Sequence, residues 1–317
     1  MDVIQAVALL IVGFILLVKG ADFFVDGAAS IAKILKVPAL IVGLTIVAMG
    51  TSLPECSVSI IASLNNNNSL AISNAVGSNI FNLMVVCGIC ALFVPLAVSK
   101  ETLKRDFPIS IACAVLLAIL GKTAMKVVRT EGIILLVCFT AFIILMIFSA
   151  IQSRKKGLEV EIEGEDIEII PVWKCIIFIV GGIIAIKFGG DSVVNSSVKL
   201  AEMAGVTETV IGLTIVAFGT SLPELVTSIV AAKKNEVDMA VGNVIGSNIF
   251  NILMVLGIAS TIDTVGFLYE NLIDIIVLIL FSGIVWVIAW TKGRLNRMHG
   301  IMMLVMYAIY TAYILIR

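Results

Sequence analysis

One hexapeptide occurs twice in this chain. Gly-Thr-Ser-Leu-Pro-Glu fills residues 50–55 and returns 169 residues later at 219–224. A second hexapeptide, Gly-Ser-Asn-Ile-Phe-Asn, fills 77–82 and 246–251 at the same offset. Because the two copies stay in register without a gap, the chain consists of two related halves. Any fold it adopts must place each motif twice.

The composition places these halves in a membrane. Of 317 residues, 60% are hydrophobic and only 14% are charged, with a mean hydropathy of +1.16. A soluble domain of this length would carry far more charge, so we predict an integral membrane protein in contact with the lipid bilayer. The net charge of −1 and the lack of a basic patch exclude a nucleic-acid-binding protein. The sequence indicates no obligate protein partner.

Long uncharged segments predict an all-α membrane protein with ten transmembrane helices. Each half carries five of them, and an odd number means that the second half enters the membrane inverted. The predicted organisation is a first repeat (1–152), an acidic linker (153–171) and a second repeat (172–317). The predicted spans are approximately 3–25, 39–63, 70–94, 106–121, 131–152, 175–198, 208–232, 239–262, 272–291 and 299–316.

The loops that follow the first motif test the inversion. Residues 65–68 are four asparagines, whereas the aligned part of the second half contains Lys233 and Lys234. Positive residues favour the cytoplasm, so these loops should face opposite sides. Most other Lys and Arg residues agree, which predicts a multi-pass protein of the inner or plasma membrane with both termini outside. The basic cluster at 122–129 is an exception that the sequence does not explain.

Two other features have simpler interpretations. The segment 153–171 is rich in glutamate and is expected to be a solvated acidic linker, with a weak regulatory cation site as the alternative. The six cysteines lie in apolar segments and are expected to be small buried residues. Cys87 and Cys90 have a C-x-x-C spacing, but without a partner pair this is weak support for a redox or metal role.

Each Gly-Thr-Ser-Leu-Pro-Glu motif contains the elements of a helix break. Gly50 permits unusual backbone angles, and Pro54 cannot donate an intrahelical hydrogen bond. We expect a helix that ends near Met49 and restarts near Ser52, with the same break in the second half. Unwound backbone at the midplane is tolerated only where it is buried in protein or lines a cavity, and paired breaks are typical of transporter ion sites.

The two motif glutamates are the strongest candidate ligands, because a carboxylate in an apolar span is costly. No Lys or Arg lies near Glu55 or Glu224 in its own segment, which argues against purely structural ion pairs. Neighbouring hydroxyls would by themselves be expected to bond the helix backbone. Beside the glutamates they become candidate cation ligands: Thr51, Ser52, Thr220 and Ser221.

The second motif adds more oxygen atoms on one helix face in each half, at every fourth position. The candidate ligands from it are Ser78, Asn82, Ser247 and Asn251. Asn74 and Asn243 continue the same stripes and are either ligands or packing contacts between helices. Asp22 and Asp191 also align, in the first span of each half, where a structural role and a role in ion access are equally compatible with the sequence.

Carboxylates, hydroxyls, amides and carbonyls together form a hard and flexible set of oxygen ligands. Such a set suits Ca²⁺, which accepts roughly 6–8 oxygens, better than Mg²⁺. The motifs offer no thiolate or imidazole for Zn²⁺ or Cu⁺. One Ca²⁺ or two Na⁺ would neutralise the two glutamates, and competition for one such site is a physical basis for exchange.

The paired motifs resemble the α-repeats of the cation/calcium exchanger superfamily, in its prokaryotic sodium/calcium exchanger branch. The resemblance covers the whole chain and implies Na⁺-driven Ca²⁺ transport by alternating access, with the first span of each half moving against the remaining helices. It assigns Na⁺-binding roles to the carbonyls of Ala48 and Ala217. The side chains to which it assigns ligand roles are Glu55, Glu224, Thr51, Ser52, Thr220, Ser221, Ser78, Asn82, Ser247 and Asn251. One departure concerns Asn82 and Asn251, since exchangers of this type can carry an aspartate in one repeat.

Three alternatives remain at this point. A Ca²⁺/H⁺ antiporter is the nearest, since facing glutamates could share a proton when no cation is bound. A passive cation channel is disfavoured because two charged ligands in a closed site would release ions slowly. An intramembrane hydrolase using Ser52 or Ser221 would need a base, and the only histidine, His299, is predicted at the membrane surface. We therefore expect a transporter and no enzyme activity.

Overall fold

The computed structural model describes residues 2–64, 69–155, 170–206, 215 and 217–316. These residues are almost entirely helical. The helices are α1 (Val3–Leu35), α2 (Ala39–Thr51), α3 (Leu53–Leu64), α4 (Leu70–Phe93), α5 (Phe107–Ala124), α6 (Arg129–Lys155), α7 (Val172–Met203), α8 (Ala217–Gly219), α9 (Leu222–Lys233), α10 (Val237–Ile262), α11 (Tyr269–Lys292) and α12 (Arg297–Ile316). Four two-residue strands lie between them: β1 (Leu96–Ala97), β2 (Lys126–Val127), β3 (Val265–Gly266) and β4 (Arg294–Leu295).

Among the described residues, seven helices are long and apolar enough to cross a membrane. The count becomes eight if α2 and α3, which meet at an angle of 47°, form one broken span. α5 covers all but the first residue of the predicted span 106–121, and the predicted span 208–232 is described only in part. α1 and α7 are both longer than predicted, since α1 extends to Leu35 and α7 covers Val172–Met203. Most of the predicted linker lies outside the described residues.

α1 and α7 pack against each other along most of their length and run in opposite directions. Gly13 approaches Gly189 near one end of this contact, and Gly27 approaches Cys175 near the other. At the centre, a Cβ atom added to Gly20 would lie 2.9 Å from the backbone nitrogen of Ile186. Glycine is needed there because only a missing side chain lets the two backbones come this close. The first helices of the two halves therefore form one antiparallel pair.

Contacts at the ends of the helices recur in both halves. β1 pairs antiparallel with β4, and β2 pairs antiparallel with β3, so each ribbon joins one strand from either half. Arg129 donates from Nε to the carbonyl of Thr261 at 2.9 Å, and Arg297 donates to the carbonyl of Leu92 at the same distance. Each arginine thus satisfies a carbonyl in the last turn of a helix from the other half. This gives Arg129, in the exceptional basic cluster, a structural role.

The core lies where α4 and α10 cross between the other helices. The window of each that would span the membrane is 78% buried, compared with 22% or less for α1, α6, α7 and α12. α10 packs so closely on α2 that a Cβ atom at Gly43 would lie 2.6 Å from the carbonyl oxygen of Met239. α4 and α10 carry the second motif, so that motif lies in the most protected layer of the protein.

Candidate cation-binding site

The helix break in the first motif is confined to one residue. α2 continues through Thr51, and α3 begins at Leu53 with Ser52 between them. The expected break from Met49 to Ser52 was therefore too wide. The helix persists because the amide of Ser52 still donates to the carbonyl of Ala48 at 3.1 Å. Pro54 is tolerated because it occupies the first turn of the new helix, where an amide proton has no helical partner.

The same geometry recurs in the second motif. Ser221 separates α8 and Thr220 from α9, and its backbone angles (φ −94°, ψ 7°) resemble those of Ser52 (φ −85°, ψ 11°). Glu55 and Glu224 consequently lie in the first turns of α3 and α9. A carboxylate is favoured at a helix N-terminus because the exposed amide groups and the helix dipole present positive charge there.

The two motifs meet through reciprocal hydrogen bonds. The hydroxyl of Ser52 donates to Oε1 of Glu224 at 2.8 Å, and the hydroxyl of Ser221 donates to Oε1 of Glu55 at 3.1 Å. Both glutamates are fully buried, as are both serines. Ser78 of the second motif adds a donor to Oε1 of Glu55 at 3.4 Å. The structure thus brings five of the predicted ligands into one cluster, with each half supplying a donor to the other half's carboxylate.

Several buried polar atoms around this cluster have no hydrogen-bond partner among the described residues. They are Oε2 of Glu55, Oε2 of Glu224, both polar side-chain atoms of Asn82, Oγ of Ser247 and Oδ1 of Asn251. Leaving such a group unsatisfied costs about 1–3 kcal/mol, and more for a charged group. Nearly all of these atoms are oxygens, so the group that would satisfy them is a hard cation. The donor set therefore fits a cation such as Ca²⁺ or Na⁺.

A local change in helix geometry places Asn82 and Asn251, the last residues of the two copies of the second motif. α4 and α10 each contain one wide turn, at Asn82–Val86 and Asn251–Val255. The turn that begins at Asn251 packs against α3, and the turn that begins at Asn82 packs against α9. Such turns occur frequently at functional sites because they displace side chains from the regular helical positions.

The remaining predicted ligands have more varied positions. Thr51 is fully buried, and its hydroxyl lies 3.2 Å from the carbonyl of Val47 and 3.4 Å from that of Ala48. Its counterpart Thr220 is only partly buried. The carbonyl of Ala48 accepts bonds from the backbone of Ser52 and the side chain of Thr51. Ala217 begins α8, and its side chain is outside the described part of the structure.

Asn74 and Asn243, for which the sequence left two roles open, support the glutamate helices. Asn243 donates to the hydroxyl of Ser228 at 2.9 Å and to the carbonyl of Glu224 at 3.5 Å. Asn74 makes the equivalent bond to Ser59 at 3.1 Å and to the carbonyl of Glu55 at 3.3 Å. The oxygen of Asn243 also lies 3.1 Å from the Thr51 hydroxyl. These contacts join neighbouring helices, as expected of the packing role rather than the ligand role for Asn74 and Asn243.

Sequence reasoning missed Asn79 and Asn248, the third residues of the second motif. Each donates from Nδ2 to the backbone carbonyl of the other, at 3.0 Å and 3.2 Å. Asn79 does more, because its Oδ1 accepts a bond from Nδ2 of Asn251 at 3.1 Å. That bond occupies the nitrogen of the Asn251 amide and leaves its oxygen as the available atom. Their identical spacing in both motifs was the signal that could have identified them.

The alternative interpretations involved His299 and the cysteines. His299 accepts from the backbone amide of Asn296, and its own amide donates to the Asn296 side chain, so it stabilises the start of α12. The six cysteines are free thiols, and Cys87 and Cys90 are both buried.

Comparison with known proteins gives a consistent result. A family described as "Sodium/calcium exchanger protein" matches residues 5–148 and 174–316. The putative antiporter CaxA of Alkalimonas amylolytica is 41% identical over 81% of both chains, and the sodium/calcium exchanger MaX1 of Methanosarcina acetivorans is 32% identical over 94% of this chain and 95% of its own.

A solved structure has the same fold over almost the whole length. The sodium-calcium exchanger NCX_Mj, soaked with zero Na⁺ and Ca²⁺, matches with a TM-score of 0.83 at 32% identity, covering 99% of this chain and 100% of its own. The chain belongs to the sodium/calcium exchanger family, in the prokaryotic branch of the cation/calcium exchanger superfamily that the two motifs predicted.

Proposed function

We propose that this protein is a secondary active antiporter that exchanges Ca²⁺ for Na⁺ at one site containing Glu55 and Glu224. The observation that carries the proposal is the pair of reciprocal bonds from Ser52 to Glu224 and from Ser221 to Glu55. Because each half completes the other's carboxylate, the two glutamates act on the same ion. Two negative charges at a single buried site are balanced by one Ca²⁺ or by two Na⁺.

The ligand set of the proposal comprises the two glutamates, the motif hydroxyls and the second-motif side chains. The carbonyls of Ala48 and Ala217 are assigned to Na⁺. Support comes from the unpartnered oxygens of Glu55, Glu224, Ser247 and Asn251 within the described chain. The similarity to MaX1 and NCX_Mj, both named as exchangers of sodium and calcium, supports Na⁺ as the counter-ion.

The proposed architecture is ten transmembrane helices in two inverted five-helix repeats. The antiparallel packing of α1 on α7 supports the inversion, because these helices occupy equivalent places in the two halves. So do the two ribbons, which pair equivalent strands crosswise. In this architecture, alternating access consists of movement of the α1–α7 pair against the other helices. The protein lies in the inner or plasma membrane, with both termini outside.

The topology can be tested by labelling. In a background without the native cysteines, Asn66→Cys and Asn235→Cys should react with an impermeant thiol reagent from opposite sides, with Asn66→Cys accessible from outside. Both variants should still transport Ca²⁺. Reaction of both positions from the same side would refute the inverted repeat.

The function itself is tested by Ca²⁺ uptake into proteoliposomes, with the Na⁺ gradient and the pH gradient imposed separately. An outward Na⁺ gradient should drive Ca²⁺ accumulation in the absence of a pH gradient. Accumulation driven only by pH would favour a Ca²⁺/H⁺ antiporter. One observation supports that second candidate. Within the described part of the chain, the side chains that bond to both carboxylates are hydroxyls and carry no charge, so without a cation only protons would neutralise the glutamates. Downhill Ca²⁺ movement without any counter-ion would indicate a channel.

A further inference from the structure

A lysine at the end of α9 holds two aspartates of α1. Nζ of Lys234 lies 2.6 Å from Oδ1 of Asp26 and 3.2 Å from Oδ1 of Asp22. It also donates to the backbone carbonyl of Asp22 at 3.2 Å. Asp22 and Asp26 are one helical turn apart on α1, so they present their carboxylates on the same face. Lys19, on the same helix, lies farther from Asp22, at 3.6 Å.

This contact lies away from the cation-binding cluster. Lys234 follows Glu224 along α9 by about 15 Å, which places it toward the membrane surface at which α9 ends. Its neighbour Lys233 lies over the ring of Phe93, at the end of α4, at 4.9 Å from the ring centroid. One lysine therefore contacts α4, and the next one contacts α1. α9 is joined at this end to a helix of the proposed moving pair.

In the described part of the chain, the other half shows no equivalent charge arrangement. Asp191, the counterpart of Asp22, pairs at 3.0 Å with Lys187, which is one turn earlier on α7 itself. Asn195 replaces Asp26 and carries no charge. The residue aligned with Lys234 is Asn65, which is also uncharged and lies outside the described residues. The ion pair of α7 therefore does not connect it to another helix.

Burial differs in the same direction. Beyond Gly20, α1 buries a set of small side chains whose counterparts in α7 are only partly buried. In α1 these residues are Val25, Ala28, Ala29, Ser30 and Ala32, and the counterparts are Val194, Ser197, Val198, Lys199 and Ala201. α1 also packs closely along α9, and α7 has no comparable contact with α3 among the described residues. Among the described residues, α1 is thus packed more tightly on the side of α9 than α7 is on the side of α3.

We propose that Lys234 is a positioning residue that locks α1 against α9 and holds the cation site closed toward the membrane surface at which α9 ends. The proposal rests on the alternating-access function proposed above. For the site to open toward that surface, α1 must separate from α9, and Lys234 must release Asp22 and Asp26. The side chain of Lys234 is 25% exposed and those of both aspartates are 34% exposed, so water screens the pairs. The lock biases the equilibrium between the two states without preventing opening.

A reversible covalent link tests whether the two sides of the lock must separate. In a background without the native cysteines, Asp26→Cys and Lys234→Cys are combined, and a short bifunctional thiol reagent joins them through reducible disulfides. Na⁺-driven Ca²⁺ uptake into proteoliposomes is measured before linking, after linking and after reduction. We expect at least about a tenfold loss on linking and recovery on reduction. Full uptake by the linked protein would overturn the proposal.

The matched control is the pair Lys187→Cys with Asp191→Cys. Both positions lie on α7, so linking them leaves the helices free to move relative to one another. Uptake by this variant should be unaffected by the reagent. Equal losses in both double variants would overturn the lock, because they would show that the reagent inhibits without joining two moving parts.

A second variant removes the lock instead of fixing it. Lys234→Gln keeps most of the side-chain length and removes the charge, with Lys187→Gln as its control. The ratio of apparent Ca²⁺ affinities on the two membrane sides should shift by about three- to fivefold in favour of the α9 side. An unchanged ratio would contradict the proposal, even if the double-cysteine variant were inactive before linking. Absence of Na⁺-driven uptake by the native protein would refute the exchanger function instead.

Discussion

The two halves of the chain are alike around the two glutamates and different where their first helices end. Around the glutamates, Ser52 and Ser221 make reciprocal bonds to the opposite carboxylate, and Asn79 and Asn248 make reciprocal bonds to each other's backbone. At the ends, α1 is tied to α9 through Lys234, whereas the ion pairs described for α7 join residues of α7 itself: Lys187 with Asp191, and Lys199 with Glu202. An exchanger needs both properties, since one ion site must serve both sides while access to it must be unequal at any moment.

The largest expected effect comes from the matched carboxylates. Glu55→Gln and Glu224→Gln each remove a charge that the surrounding hydroxyls and amides do not replace. We expect either variant to lower Na⁺-driven Ca²⁺ uptake by about 100-fold or more, since loss of a buried charged ligand costs about 3 kcal/mol. Uptake is measured at equal amounts of reconstituted protein, with membrane insertion as the control. Substantial uptake by one of the two variants would break the symmetry of the site.

The next largest effect tests a difference between Asn79 and Asn248, two equivalent residues of the second motif. Asn79→Ala removes the acceptor that holds the amide of Asn251. Asn248→Ala removes the equivalent bond to a backbone carbonyl, and the side chain of Asn248 makes no hydrogen bond to a proposed ligand side chain within the described residues. We expect Asn79→Ala to weaken the apparent Ca²⁺ affinity by about five- to tenfold. Asn248→Ala should cost about half as much binding free energy or less, which is about a two- to threefold loss of affinity. Equal effects would mean that the Asn79–Asn251 bond has no separate role.

A smaller change concerns the charge of the site. The native site has two carboxylates because Asn82 and Asn251 are both amides, so one Ca²⁺ or two Na⁺ balance it. A third Na⁺ would leave an unbalanced charge in a poorly solvated site. Asn251→Asp adds an acidic ligand and should raise the apparent number of Na⁺ exchanged per Ca²⁺ above the native value. The introduced carboxylate would also face Oδ1 of Asn79, and two facing oxygen atoms repel each other. A bound cation relieves this repulsion, so the substitution should favour the fully Na⁺-loaded state.

The measurement is the reversal condition of Ca²⁺ flux under imposed Na⁺ gradients and membrane potentials. A native stoichiometry of three or more Na⁺ per Ca²⁺ would show that counting formal charges is insufficient. Hydroxyl and carbonyl dipoles would then carry the additional positive charge.

The smallest effect is expected at two helix ends that the halves cap in the same way, with Arg129 and Arg297. Arg129→Gln and Arg297→Gln each remove a bond of 2.9 Å to a terminal helix carbonyl at an exposed position. Each should cost about 1 kcal/mol or less of stability, because such contacts are screened by water. Thermal unfolding in detergent should show similar small losses for both variants, and Ca²⁺ uptake should be preserved. A large loss for only one of them would contradict the structural equivalence of these ends.

Much of the fold was predictable because the repeated motifs are local signals. The helices follow from long apolar segments, and the ligand candidates follow from polar residues where an apolar environment makes them costly. The position of the break was less accurate, since the helix of residues 48–51 is kept intact by the Ser52–Ala48 backbone bond, which is independent of side-chain identity. Sequence alone did not identify Asn79 as a support for Asn251, because their contact depends on the crossing of α4 and α10.

The role of Asp22 was undetermined for the same reason. Its partner Lys234 is 212 residues away in the sequence and approaches only when α1 packs on α9. The basic cluster at 122–129 gave a topology signal that disagreed with the other loops, and the structure shows Arg129 bonded to a helix end instead. In both cases, the charge of a residue was visible, but the group that it faces was set by the tertiary fold.

The central claim is that both halves build one cation site, and the number of Ca²⁺ ions bound per chain tests it most directly. Equilibrium Ca²⁺ binding to the purified protein in Na⁺-free detergent solution, measured by calorimetry, should give one ion per chain. Either Glu55→Gln or Glu224→Gln alone should abolish that binding, because Ser52 and Ser221 join the two carboxylates in a single cluster. Two ions per native chain, with one retained in each variant, would show two separate sites and contradict this account.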